Sequence, residues 1–217
     1  MLNVKKNLHY FTGRGVEMRS NMCYLFDGNG IEDVLKEVEK TAKYCEFNHR
    51  QSLHLRLLAE ELTGMINRIA GDYEAKFWIQ TNYNICELHM ELELLMDAEK
   101  KKQLMEISTA EAKSQSLMSR ICDFIEKNIM ENIYCVNGGP VMHYNSMIRA
   151  DAMIRACYMG RNAINWSLVR YIDSLEEMNE TDEIDNLEKS IVTKLADDIL
   201  VKISGNRAEM IIKKIFK

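Results

Sequence analysis

A single α+β domain, with helices laid against a sheet, is the architecture this sequence predicts. Three features carry the prediction. Residues 31–45 and 50–69 repeat apolar side chains at helical spacing, and CELHMELEL at 86–94 alternates apolar with polar residues. Near the end, Ser204-Gly205-Asn206 supplies hairpin chemistry between two strand-forming runs. No internal repeat and no low-complexity linker divides the 217 residues, so 1–217 is expected to form one unit. With 47% hydrophobic residues the chain can bury a substantial core.

Taken in order, VEMRSNMCYLF at 16–26 is rich in strand formers and stops at the turn signal DGNG. IEDVLKEVEKTAKYC then sets Ile31, Val34, Leu35, Val38 and Ala42 on one helical stripe. A longer helix from about Arg50 buries Leu55, Leu58, Leu62, Ile66 and Ile69 and ends at Gly71. YEAKFWIQ, the turn TNYN and CELHMELEL predict a hairpin. In its second strand Cys86, Leu88, Met90, Leu92 and Leu94 face one way, and Glu87, His89, Glu91 and Glu93 face the other as a solvated row. Asp97 reads as the N-cap of the helix DAEKKKQLMEI, and LMSRICDFIEKNIM at 117–130 as a further amphipathic helix.

Residues 131–162 hold NGGP, which contains the single proline, and then Met142, Met147, Met153 and Met159. They are expected to form a variable or lid-like segment whose methionines line a pocket or interface. NWSLVRYI around Trp166 reads as a strand, the acidic run 176–188 as a solvated loop and helix start, and IDNLEKSIVTKLA as a helix. The hairpin ILVKI–SGNR–AEMIIKKIF completes the chain.

Composition narrows the function classes. A net charge of −5, with basic residues scattered apart from EKKKQ and the final KKIFK, gives no nucleic-acid footprint. No apolar run approaches the roughly 20 residues needed to cross a bilayer, and MLNVKKNLHYFTG lacks the apolar stretch of a secretory signal. A cytoplasmic protein is expected. The six cysteines form no CxxC pair or disulfide spacing, and apolar neighbours mark them as reduced core residues. Cys86 and His89 face opposite sides of a strand, so no structural metal site is expected from them.

The wording LRLLAEELTGM, followed by YEAKFWIQ…CELHMELEL and by LEKSIVTKLADDILVKISGNRAEMIIKK, resembles the histidine-kinase-like (Bergerat-fold) ATPase superfamily. Within it, the chain looks like single-domain bacterial proteins of the anti-sigma-factor type, from about residue 16 to 217. The resemblance implies a mixed β-sheet with helices packed on one face. It also implies a nucleotide site along the long helix, with a glutamate, an asparagine four residues on and a basic residue three further. Those positions fall on Glu61, Met65 and Arg68, which share one shoulder beside the apolar stripe, with Glu60 turned further to solvent.

The resemblance gives each position a role. Glu61 would orient an attacking water or hydroxyl as the catalytic residue, and Arg68 would hold a phosphate. Met65 stands where an asparagine oxygen would bind magnesium, and a soft thioether suits that hard cation poorly. The adenine-reading aspartate would be Asp97, here in LLMDAEKKK without the usual glycines, and the phosphate lid would be NGGP or Gly160 with Arg161 and Asn162. Arg207 and Ala208 occupy the place of the usual threonine on the terminal hairpin. The cofactor stays open on this reading: ATP fits the architecture, and magnesium does not fit Met65. The expected function is a degenerate regulator that binds a partner protein without Mg-ATP catalysis. The alternative is an ATPase or serine protein kinase using Glu61 and Arg68.

Overall fold

The structure, a computed structural model, describes residues 17–26, 29–66, 72–95, 163–179, 181–188 and 190–216, and residue pairs at 117–118, 121–122, 124–125 and 128–129. It is an α+β fold on a seven-stranded sheet. Strands β1 (Glu17–Arg19) and β2 (Cys23–Phe26) precede helices α1 (Ile31–Tyr44) and α2 (His49–Ile66). The hairpin β3 (Asp72–Asn82) and β4 (Ile85–Leu95) follows. After it come β5 (Ala163–Ser167), α3 (Leu168–Glu177), α4 (Thr181–Glu188), α5 (Ile191–Leu195) and the terminal hairpin β6 (Asp198–Ser204) and β7 (Arg207–Ile215). Across the sheet the order is β1-β3-β4-β7-β6-β5, with β2 beside β1 on the same edge of β3.

Every described pairing is antiparallel, which corrects the expected mixed sheet. Two hairpins set this pattern. Tight turns at Tyr83-Asn84 and Gly205-Asn206 force each strand back beside its predecessor, and β4 pairs with β7 to join them. The first turn is shorter than TNYN suggested: β3 and β4 stay paired to Asn82↔Ile85.

Pleating divides the sheet residues between two faces. On one, Ala75, Phe77 and Ile79 of β3 meet Leu88 and Met90 of β4, Met210 and Ile212 of β7, and Ile199 and Val201 of β6. Leu55, Leu58 and Leu62 of α2, Val34 and Val38 of α1, and Leu168, Tyr171 and Leu175 of α3 close the same core. The residues at 117–118, 121–122, 124–125 and 128–129 are helical and buried, as their amphipathic spacing predicted. Among the described elements, all helices thus bury their apolar sides against one face and leave the other open.

Three boundaries expected from the sequence are corrected. The run at 16–26 is two strands, because Ser20 breaks the ladder while staying bound to Ile79: its amide donates to the Ile79 carbonyl, and its Oγ accepts the Ile79 amide. Around Trp166, the strand stops at Ser167 and LVRYI begins α3, where Leu168, Tyr171 and Leu175 make a helical stripe. The helix expected at 184–196 is likewise divided into α4 and α5.

Glu37 of α1 fixes the β1–β2 break. Its Oε1 accepts both the Asn21 amide (3.1 Å) and Asn21 Nδ2 (3.0 Å), while Oε2 pairs with Lys40 at 3.0 Å. Burial works to raise the Glu37 pKa, but the bonds from Lys40 and Asn21 outweigh it and hold the carboxyl below its ordinary value. Glu37→Ala is expected to cost about 0.5–1.5 kcal/mol, since it removes the acceptor that ties exposed Asn21 to α1. Urea unfolding would read this as a lower midpoint at unchanged slope. An unchanged midpoint would show that the Asn21 anchor is dispensable.

Candidate functional site

Two regions bring together groups with chemical potential: the α2 shoulder named by the resemblance, and the open face of the sheet.

On α2, Glu60 and Glu61 are both half-buried. Glu60 is tied down: Arg56 Nε donates to its Oε1 at 2.9 Å, and the same guanidinium reaches Glu39 on α1. Glu61 makes no hydrogen bond or ion pair with any described residue. The expected contrast, with Glu60 further toward solvent, is therefore replaced by a contrast in pairing. Met65 does not share an open shoulder with Glu61. It is 2% exposed and belongs to the core, where the Cys122 thiol donates to its carbonyl oxygen at 3.5 Å. The cause is rotational: Met65 lies three residues from Leu62 and seven from Leu58, so it falls on the inner side of the stripe. Arg68, Asp97 and the segment 131–162, including NGGP, Gly160 and the four methionines, lie outside the described residues.

The open face is organised by strand register. Trp78, His89, Ile211 and Leu200 stand in one row across β3, β4, β7 and β6. Charged rows flank it. Lys76, Glu91, Glu209 and Lys202 lie on one side, and Gln80, Glu87, Lys213 and Asp198 on the other. Lys76 pairs with Glu91 at 3.1 Å, Lys202 with Glu209 at 3.1 Å, and Arg207 with Glu93 at 2.9 Å. These flanking side chains are partly or largely exposed, so each pair contributes at most about 1 kcal/mol.

His89 departs from the expected solvated row. It is 7% exposed and lies against the Trp78 indole, with ring centroids 4.9 Å apart and planes 10° from parallel. The Arg19 guanidinium packs over the same indole, 4.5 Å from its centroid. Nδ1 of His89 lies 3.3 Å from Glu209 Oε1, and Nε2 lies 3.6 Å from Glu87 Oε2. The second contact is too long for a hydrogen bond, and Nε2 is buried without a hydrogen-bond partner. Burial acts to raise the Glu209 pKa, yet Lys202 and His89 together hold it below the ordinary carboxylate value. Glu93 is held low as well, chiefly by the Asn206 hydrogen bond and by Arg207.

At the sheet edge, β2 adds two aromatics to the open face. Tyr24 and Phe26 are 54% and 46% exposed and stack at 6.5 Å with rings 8° from parallel. The outer backbone edge of β2 is not available in the same way. Phe26 and Asn29 exchange amide–carbonyl hydrogen bonds as the chain folds back toward α1, which caps that edge.

Sequence reasoning passed over Trp78, Arg19, Glu209 and Lys202. Trp78 was legible in part, since its place in YEAKFWIQ is out of phase with Ala75, Phe77 and Ile79. The others enter only through register, because β1 and β7 meet this face from 59 or more residues away in sequence. Among the described residues, no group of three His, Cys, Asp or Glu side chains converges to hold a metal. No described helix is long and apolar enough to cross a membrane. No disulfide joins the described cysteines, and Cys86 is sealed in the core, where burial pushes its thiol far above the ordinary value. No protein-family model matches the sequence, and no curated protein matches it.

Proposed function

We propose that this protein is a histidine-kinase-like regulator of the bacterial cytoplasm that lacks Mg-ATP catalysis and acts by binding a partner protein. The observation that carries the reading is Met65. At the position where the resemblance calls for a magnesium-binding amide, the chain has a methionine buried in the core at 2% exposure. A soft, buried sulfur does not replace the hard oxygen donor that magnesium requires. The stacked, exposed Tyr24 and Phe26 supply apolar area of the kind that anchors protein interfaces.

A second reading has one observation in its favour. Glu61 presents a half-buried carboxylate that no described residue engages, so a nucleotide-binding ATPase or kinase using Glu61 and Arg68 remains the competing chemistry. A thermal-shift series with ATP, ADP and GTP, with and without Mg²⁺, separates the two. Partner binding predicts no magnesium-dependent rise in Tm at millimolar nucleotide. A ligand at 100 times its Kd would stabilise the fold by about 2.7 kcal/mol, and that rise would overturn the proposal. Its loss in Glu61→Ala would then assign the activity to the second reading.

A further inference from the structure

We propose that Tyr24, Phe26 and Glu74 form a receptor for an arginine side chain, so that a partner protein docks on the β2 end of the open face through an arginine-bearing segment. The inference rests on the partner-binding reading above and names the chemistry of that partner. Tyr24 and Phe26 are alternate residues of β2, both on the open face and both exposed. Their rings lie 8° from parallel with centroids 6.5 Å apart, close to the rise of two strand residues, roughly 6.6 Å. The rings thus follow one another along the strand, and a flat guanidinium set at the pair lies within about 6 Å of both centroids. Arginine suits this arrangement because its planar, weakly hydrated cation stacks on aromatic faces, whereas a lysine ammonium is a strongly hydrated point charge. The same sheet face makes the contact once within the chain, where the Arg19 guanidinium lies 4.5 Å from the Trp78 centroid.

Charge selects a cation. Glu74 is the cross-strand neighbour of Phe26, exposed on the same face, and no described residue engages its carboxylate. By register the charged groups next to it are Lys76, Glu91, Glu93 and Arg207. Lys76 pairs with Glu91 at 3.1 Å and Arg207 with Glu93 at 2.9 Å, so these cancel and the Glu74 carboxylate is left over. Lys76, the cross-strand neighbour of Tyr24, is thereby committed to Glu91 rather than to the ring. The uncompensated carboxylate repels phosphate, which sets nucleic acid aside as the occupant. Strand addition is set aside too, since Phe26 and Asn29 cap the outer backbone edge of β2. Recognition here runs through side chains. Directly opposed residues on one face have Cβ atoms about 5 Å apart, so a guanidinium resting on the rings reaches Glu74 and adds a charge-assisted hydrogen bond to the stacking.

NMR titration of the full chain tests this with the peptide Gly-Arg-Gly-Arg-Gly, its lysine counterpart and its citrulline counterpart, which keeps the flat shape without the charge. The arginine peptide is expected to shift the Tyr24 and Phe26 ring signals saturably at millimolar concentration. The lysine peptide should bind roughly two- to fivefold more weakly, and the citrulline peptide should leave the signals unmoved. Phe26→Leu, apolar at an exposed position, should remove the advantage of arginine over lysine. Glu74→Gln should weaken the arginine peptide roughly two- to fivefold. The peptide comparison uses the unsubstituted chain, so it decides the matter even where a variant fails to fold. No saturable ring shift, equal binding of the lysine or citrulline peptide, or arginine binding unchanged in both variants would each overturn the inference. Failure of the arginine peptide leaves the partner-binding reading standing with a partner of other chemistry, whereas a magnesium-dependent rise in Tm with nucleotide strikes that reading itself.

Discussion

Met65→Asn, the substitution that would restore the amide called for by the superfamily pattern, is expected to destabilise the protein and to confer no magnesium-dependent ATP binding. The side chain is 2% exposed and contributes to the core beside Leu62 and Ile66 of α2. Asparagine removes apolar volume and brings a carboxamide into an apolar core. The lost burial and the unsatisfied amide together cost roughly 3–5 kcal/mol. For a chain of this size that lowers Tm on the order of 10 °C. Met65→Leu, close in volume and fully apolar, is the control and should cost less than about 1.5 kcal/mol. Calorimetric unfolding of both variants, with and without Mg-ATP, decides the matter. If Met65→Asn kept its stability and gained Tm on adding Mg-ATP, the position would face a working nucleotide site. The non-catalytic reading would then fall with it.

Met65 also marks the limit of what the sequence disclosed. Helical periodicity located α1 and the start of α2 to within a residue, because their apolar stripes are local signals, while the expected end of α2 at Gly71 lies outside the described residues. Alternation located β4, and the turn residues Ser204-Gly205-Asn206 located β6 and β7, for the same reason. The same 100° step that defined the α2 stripe could place Met65 either on its shoulder or just inside it. Its burial in the assembled core decides between them, and that core is closed by residues remote in sequence. On the sheet, the parity of His89 was correct and its burial was not. Parity states which face a side chain occupies, whereas burial depends on Trp78 and Glu209, which register brings from β3 and β7. Antiparallel order throughout the sheet was likewise illegible, since hairpins fix only neighbouring strands and the β4–β7 pairing that joins them is non-local.

Gly30→Ala is expected to cost about 3 kcal/mol or more, because two penalties meet at that residue. Gly30 adopts φ 97° and ψ −7° at the N-terminus of α1, a conformation that disfavours any L side chain. Its carbonyl already accepts the first helical amides, from Asp33 and Val34 at 3.1 Å each, so the backbone cannot rotate away without fraying α1. A Cβ built there would also lie well inside contact distance of the Tyr24 carbonyl oxygen. That oxygen belongs to β2, whose register against β3 runs unbroken from Cys23↔Phe77 to Phe26↔Glu74, so it has little freedom to yield.

Gly205 separates the two penalties. It too has positive φ, at 63°, but a Cβ there meets nothing within 4 Å. Gly205→Ala should therefore show the conformational cost alone, about 1–2 kcal/mol. The difference between the variants in urea unfolding measures the obstruction at Tyr24, and equal losses would refute it. A second consequence follows from the position of Gly30. It directly follows Asn29, whose hydrogen bonds with Phe26 cap the outer edge of β2. Displacing Gly30 should loosen that cap and free an uncharged edge strand bearing the exposed Tyr24 and Phe26, so concentration-dependent aggregation is expected in Gly30→Ala and not in Gly205→Ala.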